Sequence, residues 1–305
     1  MAETTNRILL CQVENIGSVA EVKLVTFTAG GAPEIGIVDE NGILPLNRVA
    51  PDLSSDMITL IAAWPDIAPS ICQIITNHKE RLPPEGVRLL APVPRPKKIL
   101  AIGLNYGDHV AEMKLERPKT PVWFCKLPTS AAGPYDSIPL PRGTAQTDYE
   151  AELVAVIGHG GRYIDKKDAP AAVFGFCCGN DVSVRDWQMA TSQWTLGKCG
   201  DGHAPFGPWI TTMDAVPDPH ALGIRSFVNG ELRQSSNTRH LIFDVWDQIA
   251  YVSQVMTLEP GDLIFTGTPG GVGLGMKPPQ FLKEADIVRI EIDGLGHIEA
   301  SCHAD

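Results

Sequence analysis

The chain has 305 residues, of which 44% are hydrophobic, and its formal net charge is −11. This length allows one large domain or two modest ones with an ample core, and the negative charge disfavours nucleic acid and anionic membranes as partners. It does not exclude an anionic substrate, because a metal and a few cations can reverse the field inside one cleft.

The first part of the chain predicts a small β-containing unit followed by a helix. Residues 21–46 alternate polar and apolar side chains around two turn signals, which is typical of short strands. Residues 56–81 look helical, but this segment contains Pro65 and Pro69. Since proline removes a helical hydrogen bond, we expect both residues to break the helix.

Residues 82–96 are dense in proline and cannot hold a regular helix, so they predict a connector. We therefore expect a small amino-terminal domain over 1–95 and a second domain over 96–305. The second domain is rich in short apolar runs and has few helical segments, which indicates an α+β, β-rich barrel or sandwich. The predicted strands lie at 98–103, 148–157, 173–178, 226–233, 262–266 and 286–292, and the predicted helices follow Asp108 or lie near 167–173 and 244–256.

The seven cysteines are scattered and form no Cys-x-x-Cys pair. This pattern favours thiols in an intracellular compartment over disulfides or a zinc site. The amino terminus predicts no signal peptide, and no apolar run is expected to span a membrane. We therefore expect a cytoplasmic protein, with the mitochondrial matrix as an open alternative.

Three carboxylates carry the strongest chemical signal. Glu150 and Glu152 are two residues apart at the head of an apolar strand, so their side chains point to the same side. Asp181 follows a second apolar run and could close the site from a neighbouring strand. Like charges at such a position are costly to desolvate, and a cation that prefers oxygen ligands would remove the cost. The pattern predicts Mg²⁺ or Mn²⁺, or Ca²⁺, rather than zinc; the alternative is a solvated sheet face, which the apolar flanks disfavour.

A histidine and a glutamate are expected to share one helical face. If Asp108 caps the helix, His109 and Glu112 lie three residues apart in its first turn. A carboxylate beside an imidazole orients the ring for activating water. The alternative is a surface pair without function.

Several basic and polar residues are candidates for substrate contacts. Lys126 and Lys198 could neutralise a carboxylate or an oxyanion, or they could simply reach the surface from an apolar stretch. If residues from 182 onward are helical, Arg185 and Gln188 share a face with Asp181. Arg185 could then bind a substrate carboxylate, or form a salt bridge to a metal-ligating one.

The glycine-rich stretch 266–273 lacks Gly-Lys-Ser/Thr, so it does not predict a nucleotide site. Its backbone N–H groups and the Thr268 hydroxyl could meet a substrate anion instead. His159 and His203 have no evident partner and predict surface or loop positions.

The ordered motifs of residues 99–297 resemble the fumarylacetoacetate hydrolase family, and most closely its domain-containing protein 2 branch. The motifs that carry the resemblance are Gly103–Glu112, Lys126, Asp148–Glu152, Gly179–Gln188, Leu196–Lys198, Val228–Glu231 with Gln234–Thr238, and Pro260–Gly273. Asn105-Tyr106 stands where some members have an acidic ligand. The segment 199–204 lacks the family's Phe-Asp pattern and is expected to line the pocket.

The resemblance implies a mixed β-roll catalytic domain, a homodimer, and Mg²⁺ or a similar ion on Glu150, Glu152 and Asp181. It implies a small-molecule 2-oxo or 2,4-dioxo acid as substrate. The roles that it implies are catalytic for His109, Glu112 and Lys198, and substrate-binding for Arg185, Gln188, Lys126, Thr268 and Tyr106.

Three functions follow from these expectations. The first is hydrolysis of a C–C bond in an acylpyruvate or related diketo acid, with an enolate held by the metal as leaving group. The second uses the same enolate without water attack, as an oxaloacetate decarboxylase or a 2-hydroxy-dienoate isomerase. The third is a metal-stabilised scaffold without catalysis.

Overall fold

The structure is a computed structural model that describes residues 22–305. Residues 1–21, which include Cys11 and the start of the predicted amino-terminal domain, lie outside the described residues. The described strands are β1 Lys23–Thr28, β2 Glu34–Asp39, β3 Gly42–Pro45, β4 Arg88–Leu89, β5 Ile99–Gly103, β6 Val122–Lys126, β7 Ala131–Ala132, β8 Ile138–Leu140, β9 Thr147–Asp148, β10 Ala151–Ile157, β11 Val173–Asn180, β12 Ser183–Val184, β13 Ala204–Thr212, β14 Gly223–Val228, β15 Glu231–Asn237, β16 Leu263–Phe265, β17 Ile287–Ile292 and β18 Gly296–Ala304. The described α-helices are α1 Leu46–Val49, α2 Met57–Asn77, α3 Gly107–Glu112, α4 Ala169–Ala172, α5 Arg185–Met189, α6 Thr195–Lys198 and α7 Val245–Val252.

A mixed sheet forms the centre of the protein, in the order β3-β2-β1-β13-β11-β10-β16-β5-β6. Most neighbours pair antiparallel, but β16 and β5 are parallel. A second sheet, in the order β15-β14-β17-β18-β8, packs nearby. The predicted β-rich α+β class is therefore confirmed.

The boundary proposed near residue 95 stays a prediction. The strands before it are not a separate sheet, because β1 pairs with β13 through Lys23 opposite Thr211 and Leu24 opposite Ile210.

Strand β10 explains the long apolar run that follows the glutamates. Val154 and Val156 point into one hydrophobic core, which α2 and the amino-terminal strands also enter. Leu153 and Ala155 point into a second core, which includes α7 and the smaller sheet. Because both faces are covered, the strand is apolar on both faces rather than alternating.

The helix α2 is continuous, so the expected break at its prolines is wrong. Pro65 and Pro69 lie inside the helix, and both are exposed. They are four residues apart and therefore share one face, so the hydrogen bonds that they remove are on the solvent side. The opposite face, which includes Leu60 and Ile71, packs without interruption on the first core.

This helix is also long and apolar enough to cross a membrane by length and composition alone, contrary to the expectation that no segment would be. Its apolar side chains nevertheless pack on the sheet, as in a core helix of a globular protein.

The expectation that the cysteines are reduced thiols fails at one position. Cys72 is disulfide-bonded, whereas the described cysteines Cys125, Cys177, Cys178, Cys199 and Cys302 are free.

Candidate active site

The three predicted carboxylates meet where two neighbouring strands end. Strands β10 and β11 are antiparallel, with Ala151 opposite Asn180, so Glu150 and Glu152 lie beside the end of β11 and Asp181. One oxygen from each carboxylate lies within 4.8 Å of the others, and all three residues are buried. The alternative of a solvated sheet face is therefore excluded.

Both predicted lysines bind these carboxylates. Lys198 Nζ donates to Glu150 Oε2 at 2.7 Å and to Asp181 Oδ2 at 2.6 Å. Lys126 Nζ donates to Asp181 Oδ1 at 2.6 Å. Burial lowers the pKa of Lys126, whereas the two carboxylates outweigh burial at Lys198 and raise its pKa. The lysines are therefore buried ion-pair partners rather than surface residues.

Arg185 forms a salt bridge to a carboxylate of the cluster, which is the second of the two roles expected from its sequence position. Its Nη1 is 2.7 Å from Glu150 Oε1 and donates to Gln188 Oε1 at 3.0 Å. Its Nε donates to Asp148 Oδ2 at 2.8 Å. Among residues 22–305, its buried Nη2 has no hydrogen-bond partner. Asp181 is not on the same helix, because α5 begins only at Arg185 and β12 precedes it.

Glu152 is the carboxylate without a cationic partner. In the part of the chain that the structure describes, Glu152 accepts a hydrogen bond from Gly267 N at 2.8 Å but forms no salt bridge. Burial and the negative charges of Asp181 and Glu150 raise its pKa well above the ordinary value. At Glu150 burial is outweighed by Lys198 and Arg185, which lower the pKa to about 2.

The charge balance shows that these residues fit a divalent cation. Four buried carboxylates, which are Asp148 and the triad Glu150, Glu152 and Asp181, meet three side-chain cations, so one negative charge is uncompensated. A divalent cation at the triad would offset this negative charge and leave one positive charge for an anionic ligand, and the all-oxygen donor set suits Mg²⁺, Mn²⁺ or Ca²⁺.

His109 and Glu112 lie on one face of α3, in contact with each other. His109 Nδ1 is 3.4 Å from Glu112 Oε2, and both Glu112 oxygens are 3.1 Å from Gly271 N, which donates to them. Burial would raise the pKa of Glu112, but the hydrogen bonds from His109 and Gly271 lower it. The helix begins two residues earlier than predicted, at Gly107 with Tyr106 at the cap position, so Asp108 is not its cap.

The glycine-rich turn 266–273 binds the protein's own carboxylates rather than an open anion site. Its N–H groups donate to three buried or half-buried acids, namely Gly267 to Glu152, Gly271 to Glu112 and Gly273 to Asp148. Thr268 lines the cavity, and its hydroxyl accepts a hydrogen bond from Gln234 Nε2 at 2.8 Å. Thr268 is therefore the residue of this turn whose side chain offers a polar group to the cavity.

Two supporting residues were missed as functional candidates. Asp148 accepts hydrogen bonds from Gly273 N and Leu274 N in addition to its salt bridge to Arg185. Gln234 joins β10 to the turn, since its Oε1 accepts from Ala151 N. Their position within the family motifs was the available signal, but a motif does not reveal a partner that is distant in the chain.

One cavity of about 190 Å³ unites the site. It is lined by Ile102, Gly103, Leu104, His109, Met113, Leu115, Glu150, Glu152, Arg185, Gln188, Met189, Trp194, Lys198, Thr268, Val272 and Leu274. Tyr106 is fully buried outside this lining, and its hydroxyl has no hydrogen-bond partner in the part of the chain that the structure describes. Burial and the charge of Glu152 raise the Tyr106 pKa.

The segment 199–204 does not line this cavity, contrary to expectation. His203 lies in the loop before β13, which was one of its two expected positions, but it is buried rather than at the surface, with Nε2 2.8 Å from the carbonyl oxygen of Pro139. Burial lowers its pKa to about 4.

A buried triad of carboxylates beside a histidine–glutamate pair, at one cavity, defines a metal-binding enzyme of the β-rich α+β class. The comparisons with known proteins identify the family. The family model "Fumarylacetoacetate (FAA) hydrolase C-terminal" matches residues 98–302. The chain belongs to the fumarylacetoacetate hydrolase family, as its motifs predicted.

Three similar proteins illustrate the range of this family. Bovine (Bos taurus) "Oxaloacetate tautomerase FAHD2B, mitochondrial" is 43% identical over 284 residues, which cover 91% of this chain and 90% of that protein. The structure of maleylpyruvate hydrolase from Sphingobium sp. SYK-6, in complex with manganese(II) and pyruvate, has a TM-score of 0.78 at 32% identity and covers 92% of this chain and 99% of its own. The structure of 2-hydroxyhepta-2,4-diene-1,7-dioate isomerase from Mycobacterium marinum has a TM-score of 0.73 at 31% identity and covers 93% and 99%.

Proposed function

We propose that the protein is a Mg²⁺- or Mn²⁺-dependent hydrolase that cleaves the C–C bond of 2,4-dioxo acids of the acylpyruvate type. The observation that carries this proposal is the carboxylate triad, whose oxygens lie within 4.8 Å of one another in the cavity that His109 also lines. The similarity to a maleylpyruvate hydrolase with bound manganese and pyruvate supports it.

Glu150, Glu152 and Asp181 would hold the cation. When bound there, a divalent cation supplies a Lewis acid that polarises the 2-keto oxygen of the substrate and favours its enolate. Arg185 offers its unpartnered Nη2 to the substrate carboxylate. Lys198 keeps Glu150 and Asp181 in place from the cavity wall.

His109 has the geometry of a general base. Since Nδ1 faces Glu112, an Nδ1–H tautomer leaves Nε2 free to accept a proton. Nε2 takes a proton from water, and the hydroxide attacks the 4-carbonyl carbon. The bond between C3 and C4 then breaks with its electron pair on C3, as the enolate of pyruvate. A proton returned to C3 completes the products, which are pyruvate and a carboxylic acid.

A second candidate is proton transfer in oxaloacetate, either as keto–enol tautomerisation or on the way to decarboxylation. The observation that favours it is the 43% identity to a protein named oxaloacetate tautomerase. The same His109 would then move a proton of the substrate itself, without attack by water. The isomerase among the similar structures is named for the same class of change, a proton shift in a dienoate.

The test is a panel of 2,4-dioxo acids and oxaloacetate, each with Mg²⁺ and with Mn²⁺. Hydrolysis predicts pyruvate plus one carboxylic acid from the dioxo acids, and both are lost in Glu150→Gln but kept in the exposed control Glu231→Gln. If only the enol–keto exchange of oxaloacetate is accelerated, the second candidate replaces the first. If neither substrate reacts while the metal still raises the melting temperature, the protein is a scaffold and both proposals are wrong.

Compartment and assembly belong to the same proposal. The relatives named as mitochondrial support a mitochondrial location, which is compatible with the matrix, the open alternative to the cytoplasm. The family resemblance supports a homodimer, which sedimentation of the purified protein would test.

A further inference from the structure

A buried network of side-chain amides adjoins the carboxylate triad through one peptide group. It joins Asn105, which precedes α3, to the backbone of Phe243 and Thr266, and Gln248 of α7 also takes part in it. Asn105 and Gln248 are fully buried, and neither lines the cavity. Since these two side chains do not face a substrate, their role is in the groups that they hold.

Every polar atom of the Asn105 side chain is engaged in this network. Its Nδ2 donates to the carbonyl oxygens of Thr266 at 2.7 Å and Phe243 at 3.0 Å, and its Oδ1 accepts from Phe243 N at 2.9 Å. A primary amide has two N–H donors, so both are used. Gln248 Nε2 donates to the same two carbonyl oxygens, at 3.3 Å and 2.9 Å. Because buried hydrogen bonds are costly to break, the Thr266 carbonyl is held in one direction.

The Thr266 carbonyl belongs to the same peptide group as the Gly267 N–H. Because a trans peptide group is planar, fixing the direction of its carbonyl also fixes the direction of its N–H, which points the opposite way. This N–H donates to Glu152 Oε2 at 2.8 Å, and it is the only hydrogen bond that the Glu152 side chain receives among residues 22–305. The Asn105 amide and the Glu152 carboxylate are therefore bound to the two ends of one peptide group.

The close approach of the two segments depends on glycine at position 267. Gly267 has a φ of +109°, and a Cβ there would lie 2.6 Å from the Asn105 Cβ. The same turn is anchored to β10, since the Thr266 N–H and hydroxyl donate to the Leu153 carbonyl oxygen at 3.1 Å and 2.8 Å. Leu153 follows Glu152, so the strand that carries the glutamate also holds the peptide group that binds it.

We propose that Asn105 is a positioning residue of the metal site, with Gln248 as its support. Its amide directs the peptide group between Thr266 and Gly267 so that the N–H holds one oxygen of Glu152 and leaves the other for the cation. The other two carboxylates of the triad are already held by a lysine, whereas this peptide group orients Glu152 before a cation binds. The inference rests on the proposed function for the position of the cation.

Metal affinity tests the inference without a turnover assay. The electron paramagnetic resonance signal of free Mn²⁺ gives the dissociation constant of the ion, and melting curves with chelator give the stability of the metal-free protein. Asn105→Ala should raise the Mn²⁺ dissociation constant by about 10- to 100-fold, the usual effect of removing a group that orients a metal ligand. Gln248→Met removes the donor and keeps the length of the side chain. It should raise the constant by a smaller factor, because its contact with Thr266 is longer.

Asn47 is the matched control for a purely structural role. Its amide also makes three hydrogen bonds to the backbone, because its Oδ1 accepts from Ile35 N and its Nδ2 donates to the carbonyl oxygens of Leu53 and Ser54. It lies in α1 and does not line the cavity. Asn47→Ala should therefore lower the melting temperature of the metal-free protein, as Asn105→Ala should, but leave the Mn²⁺ dissociation constant unchanged.

The outcomes separate this inference from the proposed function. An unchanged Mn²⁺ dissociation constant in Asn105→Ala, or an equal increase in Asn47→Ala, would overturn the inference and leave the hydrolase intact. If Asn105→Ala does not fold, an unchanged constant in Gln248→Met has the same meaning. Weaker Mn²⁺ binding in the network variants, without cleavage of any 2,4-dioxo acid by the wild type, would support the inference and overturn the hydrolase. If the wild type binds no Mn²⁺, both are wrong.

Discussion

Replacing Glu152 by Gln should stabilise the metal-free protein and remove most of the stabilisation that a divalent cation gives. Glu152 is 1% exposed and has no cationic partner among residues 22–305. Burial, Asp181 and Glu150 raise its pKa above the ordinary value of 4.5. A raised pKa means that the folded state binds the proton more tightly, so this contribution to stability is present below pH 4.5 and is lost as the pH rises through the folded-state pKa.

The magnitude follows from linkage. Each pH unit between 4.5 and the folded-state pKa costs about 1.4 kcal/mol of stability. At pH 6 the glutamate therefore costs the metal-free protein up to about 2 kcal/mol, which a neutral glutamine does not. A cation at about 100 times its dissociation constant adds ~2.7 kcal/mol to the wild type, or a rise of about 5 °C in melting temperature for a chain of this size.

Thermal and urea unfolding at pH 6, with chelator and then with Mn²⁺, measure both effects. Glu150→Gln is the matched comparison: Lys198 and Arg185 lose a buried anionic partner, so the metal-free protein should lose about 3 kcal/mol. The two variants should therefore have effects of opposite sign before metal is added. If both destabilise the metal-free protein equally, the charge balance derived for the site is wrong.

Three further changes test the site separately. His109→Ala should lower kcat by about 10²- to 10⁴-fold while the metal-dependent rise in melting temperature persists, which a turnover assay and melting curves check together. Asp148→Asn should cost about 3 kcal/mol in urea unfolding because Arg185 loses a buried partner, whereas Asp186→Asn, which changes the neighbour of Arg185 on α5, should alter the stability little. Because the pKa of Glu150 is lowered to about 2, its contribution to stability is present above pH 4.5 and is lost as the pH falls toward 2; Glu150→Gln should flatten the fall in urea midpoint between pH 5 and pH 3.

The carboxylate triad could be predicted from the sequence because local patterns determine where its three residues lie. Strand periodicity places Glu150 and Glu152 on one side, and two adjacent apolar runs are expected to pair and bring Asp181 beside them. The hairpin at 226–233 was predictable for the same reason, since Asn229-Gly230 is a strong turn signal. Each of these features depends on residues that are close in the chain or on neighbouring strands.

The errors occurred where tertiary packing overrides a local rule. The prolines of α2 are tolerated because the buried face of that helix is intact. His203 is buried although it has no sequence pattern of a core residue, because the chain around it packs against Pro139. Sequence propensities describe an isolated segment in water, whereas these two segments are packed against the rest of the protein.

The contacts of the basic side chains could not be predicted from local sequence patterns either, and these contacts explain how the site is built. Lys126, Arg185 and Lys198 come from β6, α5 and α6, so no local pattern could show that they converge on one acidic cluster. Their convergence offsets the repulsion that would otherwise keep buried carboxylates apart, and it leaves a single negative charge at Glu152. A divalent cation turns that deficit into a single positive charge, so a substrate carboxylate enters a site whose charge it completes.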